Sequence, residues 1–282
     1  MEYKVLSNGI KVPILGYGTF RIPKEDTYKC IREALDIGYR MFDTASAYFN
    51  EEEIGQAIKD SNIDRKDIFI STKVWIQDAG YQNTLKAFEK SLQNLQTDYI
   101  DLYMIHQPFS DYYGSYKAME ELYEKGSIKA LGICNFYLDR FIDLYLNTTI
   151  KPHVNQIECH PFFIRKEERE ILDKFGCAME AWGPLNEGQR DIFENEVLKQ
   201  IAMKHHKTVS QIILRWHIEN DTIVIPRTIY KERMIENMNI FDFKLDEEDK
   251  QKIESLDIGH SEIIDHTCIS TVKALNKLKI HE

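Results

Sequence analysis

The chain has 282 residues, 43% of them hydrophobic, which suits one large domain, since barrels of alternating strands and helices run to ~250 residues or more as a single unit. Its net charge is −10, from 36 Lys+Arg against 46 Asp+Glu, which argues against a nucleic-acid surface while leaving room for a local basic site for a phosphate. The five cysteines (Cys30, Cys134, Cys159, Cys177, Cys268) are odd in number and form no CxxC pair, so neither a disulfide framework nor a zinc site is expected and a reducing cytoplasm is.

The N-terminus carries no signal-peptide pattern and no stretch approaches ~20 uninterrupted apolar residues, so no membrane span is expected. No linker or low-complexity block divides the chain, which reads as one domain over 1–282. Tyr3–Leu6 and Ile10–Val12 read as a hairpin turned at Asn8-Gly9. Then a short apolar run followed by an amphipathic helix recurs about eight times. The runs are Ile14–Gly18, Arg40–Asp43, Ile68–Val74, Ile100–His106, Ala130–Cys134, Val154–Glu158, Cys177–Trp182 and Thr222–Ile225. Between them lie helical spacings such as Leu85, Phe88, Leu92 and Leu95. Two helices follow the seventh run, one with Val197, Leu198 and Ile201, the next with Ile212, Ile213 and Trp216. A last helix is expected from its N-cap Asp246, followed by a short tail over 257–282. The pattern predicts an α/β fold of the (β/α)8 TIM-barrel type, with an N-terminal hairpin and a C-terminal helix and tail. The rival doubly wound sheet would place a GxGxxG turn after an early strand. Gly16-Tyr17-Gly18 lacks the third glycine.

In a parallel barrel, chemistry gathers at the C-terminal ends of the strands. There the sequence sets Asp43-Thr44-Ala45, Lys73, His106, Asn135, Asn155-Gln156 with Glu158, Trp182-Gly183 and Pro226-Arg227-Thr228. Any one of these has an ordinary structural use, as a helix cap or a solvated charge. Their joint placement on one rim points to a site.

These segments resemble the aldo-keto reductase family. Phe42-Asp43-Thr44-Ala45-Ser46-Ala47-Tyr48 is similar to its motif around the catalytic Asp and Tyr. Ile70–Trp75 is similar to its lysine strand, and Leu102–His106 to its histidine strand. Gly132–Phe136 and Val154–Glu158 resemble its nicotinamide-amide site. Ile225–Thr228 with Arg233, Glu236 and Asn237 resembles its adenosine-phosphate site. The likeness runs in order along essentially the whole chain, and nearest to microbial members that reduce small aldehydes and diketo-gluconate.

The resemblance implies an NADP-dependent oxidoreductase, NADPH reducing aldehydes and ketones to alcohols. It makes Tyr48 the proton donor, Lys73 the group that lowers the phenol's pKa, Asp43 the holder of Lys73, and His106 the partner of the substrate carbonyl. Toward the cofactor it implies Thr19, Asp43, Cys134, Asn135, Gln156, Trp182, Gly183 and Leu185 along the nicotinamide half. Arg227, Thr228, Arg233, Glu236 and Asn237 would serve the adenosine half. Phe20, Trp75, His106, Gln107 and Tyr112 would wall the substrate pocket. Its small-molecule carbonyl substrate is the one partner expected: no nucleic acid, no membrane, no metal, and a monomer rather than an oligomer.

Some positions depart from the family pattern. Cys134 stands where Ser is common, Arg227 where Lys is frequent, Tyr230 where Thr is frequent, and Trp182 where Tyr is common. Gln107 follows the histidine where many members have Trp, making the pocket wall more polar. The remaining histidines carry no pattern, His160 at the rim aside. Two other functions compete. A metal-dependent barrel hydrolase would need His and carboxylate ligands where Lys73 and Tyr48 stand. An NADPH-binding sensor would have little turnover.

Overall fold

The computed structural model describes residues 2–282. Strands β1 (Tyr3–Val5) and β2 (Lys11–Pro13) pair antiparallel around Gly9, whose φ of 86° is one a side chain seldom tolerates. Leu6 and Val12 from this hairpin are buried with Met41, Phe69, Leu102, Ala130, Val154, Ala178 and Ile223. All seven belong to the barrel strands, so the hairpin plugs the N-terminal mouth of the barrel.

That barrel has eight parallel strands: β3 (Tyr17–Gly18), β4 (Met41–Asp43), β5 (Phe69–Val74), β6 (Ile100–Ile105), β7 (Ile128–Cys134), β8 (Val154–Glu158), β9 (Ala178–Trp182) and β10 (Ile223–Val224). Each pairs with its chain neighbour in sequence order. Helices α1 (Lys24–Ile37), α2 (Glu51–Lys59), α3 (Tyr81–Leu95), α4 (Tyr112–Glu124), α5 (Leu138–Asn147) and α6 (Lys166–Lys174) alternate with the strands. After β9 come α7 (Glu196–His205) and α8 (Val209–Glu219). After β10 come α9 (Lys231–Met238), α10 (Glu247–Glu254) and α11 (Ile269–Lys277).

The last strand meets the first. Gly16 N–H donates to Val224 C=O at 2.8 Å, Val224 N–H to Ile14 C=O at 2.9 Å, and Gly18 N–H to Pro226 C=O at 3.2 Å. A Cβ on Gly18 would lie 2.6 Å from the Ile225 carbonyl oxygen, so the seam closes only on a residue without a side chain. That is the use of the Gly16-Tyr17-Gly18 segment. It is a closure element of the barrel, with no part in a dinucleotide turn.

Side chains alternate across each strand. One set (Phe42, Ile70, Tyr103, Ile105, Ile133, Ile157, Met179) joins the helices in the larger core. The other set fills the barrel, and it changes character along the axis. At the hairpin end it is apolar. Toward the other end the same alternation brings Asp43, Ser71, Gln156 and Glu180 two residues further on and Lys73 four, all buried. The barrel interior therefore becomes polar at its C-terminal mouth.

The segment over 257–282 is more than the short tail expected. It contains α11 and crosses that mouth. Trp75 Nε1 donates to Leu278 C=O at 3.0 Å, and Ile280 N–H to Gln77 Oε1 at 2.8 Å. Val272, Leu275 and Ile280 pack on Trp75, Ile76 and Phe109. None of the residues of α11 is fully buried, although Ile269, Val272 and Leu275 recur at a helical spacing of three that the sequence reading passed over.

Candidate active site

The floor of the mouth is an ion pair. Lys73 is fully buried on β5 and donates to both carboxylate oxygens of Asp43 on β4, at 2.6 and 2.8 Å, and to Thr44 C=O at 2.8 Å. Desolvation is the largest single effect and opposes the ammonium charge, but the neighbouring groups, the Asp43 carboxylate first among them, together outweigh it and hold Lys73 above the ordinary lysine range. Asp43 Oδ2 also accepts from Ser71 Oγ at 2.9 Å and from Gln156 Nε2 at 3.0 Å. A buried charge pair needs such extra hydrogen bonds to be tolerated at all.

Tyr48 follows β4 in a short helical turn and lies over this pair, with Lys73 Nζ 5.1 Å from its ring centroid. Burial raises the Tyr48 phenol above its usual range, while the Lys73 charge pulls it back down. The ammonium therefore works against a desolvation penalty and does not bring the phenol to neutral pH. Phe20 and His106 flank the Tyr48 ring at centroid distances of 4.9 and 5.5 Å. Burial, and then the Lys73 charge, holds His106 well below the usual histidine range, so the imidazole is neutral. Its Nδ1 is buried without a partner.

A hydrogen-bonded chain ties the next three strands to this floor. Asn135, just past β7, adopts φ 64°, a left-handed conformation that Asn tolerates. Its Nδ2 donates to His106 C=O at 3.1 Å, and its Oδ1 accepts from Trp182 Nε1 at 2.8 Å. The Cys134 thiol donates to Gln156 Oε1 at 3.3 Å. Burial pushes this thiol far up, so it stays protonated. Gln156 Nε2 spends its second hydrogen on Glu180 Oε1, at 2.8 Å.

A cavity of about 880 Å³ opens above this floor and runs outward between β9, β10 and α9. Most of the residues singled out from sequence line it: Phe20, Asp43, Tyr48, Trp75, His106, Gln107, Cys134, Asn135, Gln156, Trp182, Gly183 and Leu185 at the inner part. Arg227, Thr228, Arg233, Glu236 and Asn237 line the outer part. Arg227 and Arg233 are exposed and form no ion pair among the described residues. Arg233 lies over the Tyr230 ring at 5.0 Å, and Glu236 Oε1 accepts from Thr208 Oγ1 at 2.8 Å.

Three of the singled-out residues sit elsewhere. Lys73 lies beneath the cavity and reaches it through Tyr48 and Asp43. Thr19 is fully buried, its hydroxyl spent on the Asp43 carbonyl at 2.9 Å, while its neighbours Gly18 and Phe20 line the wall. Tyr112 starts α4 and packs on Phe136 at 5.2 Å, outside the cavity lining.

Sequence reasoning missed two residues. Glu180 is fully buried beside Gln156, and desolvation, with Asp43 nearby, pushes its carboxyl up to about 8. Counting back two residues from Trp182 on the same strand would have found it. His266 lines the cavity from the tail, where no periodicity marked it. Among the described residues, no group of three or more His, Cys, Asp and Glu is placed to hold a metal ion. Among the described residues no helix is long and apolar enough to cross a membrane.

Residues 14–258 match the model of the aldo/keto reductase family. The chain is 46% identical over 253 residues to a glyoxal reductase of Bacillus subtilis (strain 168), covering 89% of this chain and 91% of that protein. Among solved structures it resembles MGS-M4, an aldo-keto reductase from a Medee basin deep-sea metagenome library, with a TM-score of 0.92 and 44% identity over 94% of this chain and 99% of that one. A mutant of Gox0644 in complex with NADPH superposes with a TM-score of 0.90 at 34% identity, covering 99% of this chain and 98% of that one.

Proposed function

The chain belongs to the aldo/keto reductase family, and from that premise we propose that it reduces small aldehydes and ketones to alcohols with NADPH, Tyr48 giving the proton. The observation that carries this reading is the convergence of Asp43, Lys73, Tyr48 and His106 at one mouth, with Tyr48 and His106 facing the same cavity.

The lining suits a dinucleotide phosphate. Its outer end holds two arginines free of carboxylate partners, and guanidinium groups match phosphate geometry and stay charged. Its inner end holds the Trp182 indole as a stacking surface. There the Gln156 amide has its NH2 tied to two carboxyl groups, so its Oε1 faces donors. Arg227, Thr228 and Arg233 would hold the 2′-phosphate, Glu236 and Asn237 the adenine. Trp182, Asn135, Gln156, Cys134, Gly183 and Leu185 would hold the nicotinamide half. When bound, NADPH supplies the hydride.

The protein's own residues supply position and a proton. His106, neutral, donates a hydrogen bond to the substrate carbonyl oxygen and draws electron density from its carbon. Tyr48 gives its proton to that oxygen as negative charge develops there. Lys73 lowers the cost of the phenolate left behind, and Asp43 keeps Lys73 charged and fixed. Phe20, Trp75 and Gln107 wall the space in which the carbonyl sits.

The test is loss of NADPH absorbance on adding a panel of short aldehydes and ketones, with and without a chelator. Chelator-insensitive oxidation of NADPH by the aldehydes is expected. Tight NADPH binding with no turnover on any carbonyl would leave the sensor function instead. The glyoxal reductase of Bacillus subtilis, at 46% identity, makes glyoxal the first compound to assay.

A further inference from the structure

The tail contributes Ile263, Ile264, His266, Leu275 and Leu278 to the cavity wall, and His266 is the one polar side chain among them. It is 5% exposed, and neither ring nitrogen has a hydrogen-bond partner. A buried imidazole with both nitrogens unpaired is an expensive feature that ordinary packing does not retain. Most buried polar side chains in this protein are paired, as His153 is with the Leu131 N–H at 2.9 Å.

The ring is also held in place. It meets the Trp182 ring edge-on at 6.4 Å and the Tyr137 ring at 6.0 Å. On one side of it in sequence, Ser261 Oγ donates to the buried Glu158 Oε2 at 2.6 Å, and Glu262 pairs with Arg190 at 2.7 Å. On the other side, Leu278 and Ile280 are tied to Trp75 and Gln77. The tail is thus anchored before and after His266. Burial pushes the imidazole down to about 4, so at neutral pH it presents one N–H donor and one acceptor nitrogen. His266 and His106 line the same cavity, and a charge on His266 would disfavour one on His106.

We propose that His266 is a substrate-binding residue that hydrogen-bonds a second oxygen of the substrate, so that the cavity prefers dicarbonyl compounds to aldehydes with a single oxygen. The inference rests on the carbonyl-reducing reading of the site. His106 and Tyr48 take the reacting oxygen, and the His266 N–H takes the other. An apolar wall with one donor rewards the compound that has a matching acceptor. It strands that donor against the compound that lacks one.

The test compares methylglyoxal with propanal, which have equal chain length and differ by the second carbonyl. The readout is the ratio of their kcat/KM values in the wild type, His266→Leu and His266→Gln. Because it is a ratio within each variant, it does not depend on how much of that variant folds. The ratio is expected to fall about tenfold in His266→Leu and to recover most of the way in His266→Gln, which keeps an N–H donor. An unchanged ratio in His266→Leu, with an active wild type, overturns the role of His266 and leaves the reductase reading standing. A wild type that reduces neither compound overturns both.

Discussion

Lys73 gives its N–H groups to Asp43, at 2.6 and 2.8 Å, and to the Thr44 carbonyl at 2.8 Å. The ammonium is therefore a fixed charge that acts on Tyr48 mainly through its field. Replacing it with Met removes the one effect that offsets desolvation of the phenol and leaves Asp43 buried without its counter-ion. Lys73→Met is expected to lower kcat and to move the alkaline side of the pH–rate profile upward, since a lost cation raises a neighbouring acid's pKa. Steady-state kinetics across pH check this. A normal kcat with an unmoved alkaline limb would remove Lys73 from the mechanism.

Tyr48→Phe deletes one hydroxyl and keeps the ring that packs between Phe20 and His106. Carbonyl reduction should fall by ~10²–10⁴-fold, the range for a positioned general acid. NADPH affinity, measured by quenching of Trp fluorescence, should hold within a few fold. Retained turnover would reassign the proton to His106.

Much of this was legible in the sequence because two periodicities carry it. The strand runs and the helix stripes place each rim residue, and two-residue alternation turns Asp43, Lys73, His106 and Gln156 into one polar layer. The tail escaped for a physical reason. Its helix buries nothing fully, and its role comes from crossing the mouth, which depends on where residues 75–78 lie in space. Thr19 came from the resemblance alone; the structure buries it and spends its hydroxyl on the Asp43 carbonyl, a partner no periodicity indicates.

The closure seam makes a stability prediction. A Cβ at residue 18 meets a backbone carbonyl at 2.6 Å, and backbone cannot rotate away as a side chain would. Gly18→Ala should destabilise the fold by roughly 1–3 kcal/mol, the usual cost of overpacking. Gly9→Ala tests a different cause, since nothing lies near its Cβ and the strain comes from its φ of 86°. Urea midpoints for both distinguish them. No loss in Gly18→Ala would mean the seam opens readily.

Buried histidines set the acid side of stability. Burial pushes His217 down to about 3 and His266 to about 4, and His106 lies well below its ordinary value. In the unfolded chain these rings titrate near ~6.5. Between that value and the folded one the unfolded state binds more protons, so stability is complete above ~6.5 and is lost as pH falls below it. At pH 5 each such ring takes away at most roughly 2 kcal/mol. The raised Glu180 carboxyl works the other way, gaining stability as pH falls from 7 to 5, but it is one group against three rings, so urea unfolding at pH 7, 6 and 5 should show falling midpoints, with a smaller fall in His217→Gln. A flat profile would mean that these rings are reached by water in the folded state.

Cofactor choice turns on the outer end of the cavity. NADPH and NADH differ by one phosphate on the adenosine ribose, and a site for NADH commonly sets a carboxylate against the 2′-hydroxyl. Here Arg227 and Arg233 line that end, both exposed and without ion-pair partners among the described residues. The nearby carboxylate, Glu236, is turned to the Thr208 hydroxyl at 2.8 Å. Thr228 adds a neutral donor, although its Oγ1 already accepts from the Tyr230 N–H at 3.2 Å. Each charge-assisted contact contributes roughly 1.5–3 kcal/mol, less at an open site where water and salt screen it. Two such contacts, discounted, give a preference for NADPH of about tenfold to several hundredfold. Arg233→Ala should remove part of it and the double change with Arg227→Ala nearly all, through a weaker NADPH Kd with the NADH Kd little moved. Raising salt should narrow the wild-type gap in the same direction. Fluorescence titrations of both nucleotides against the three proteins check this. Equal affinities in the wild type, or a preference that survives loss of both arginines, would place the 2′-phosphate elsewhere.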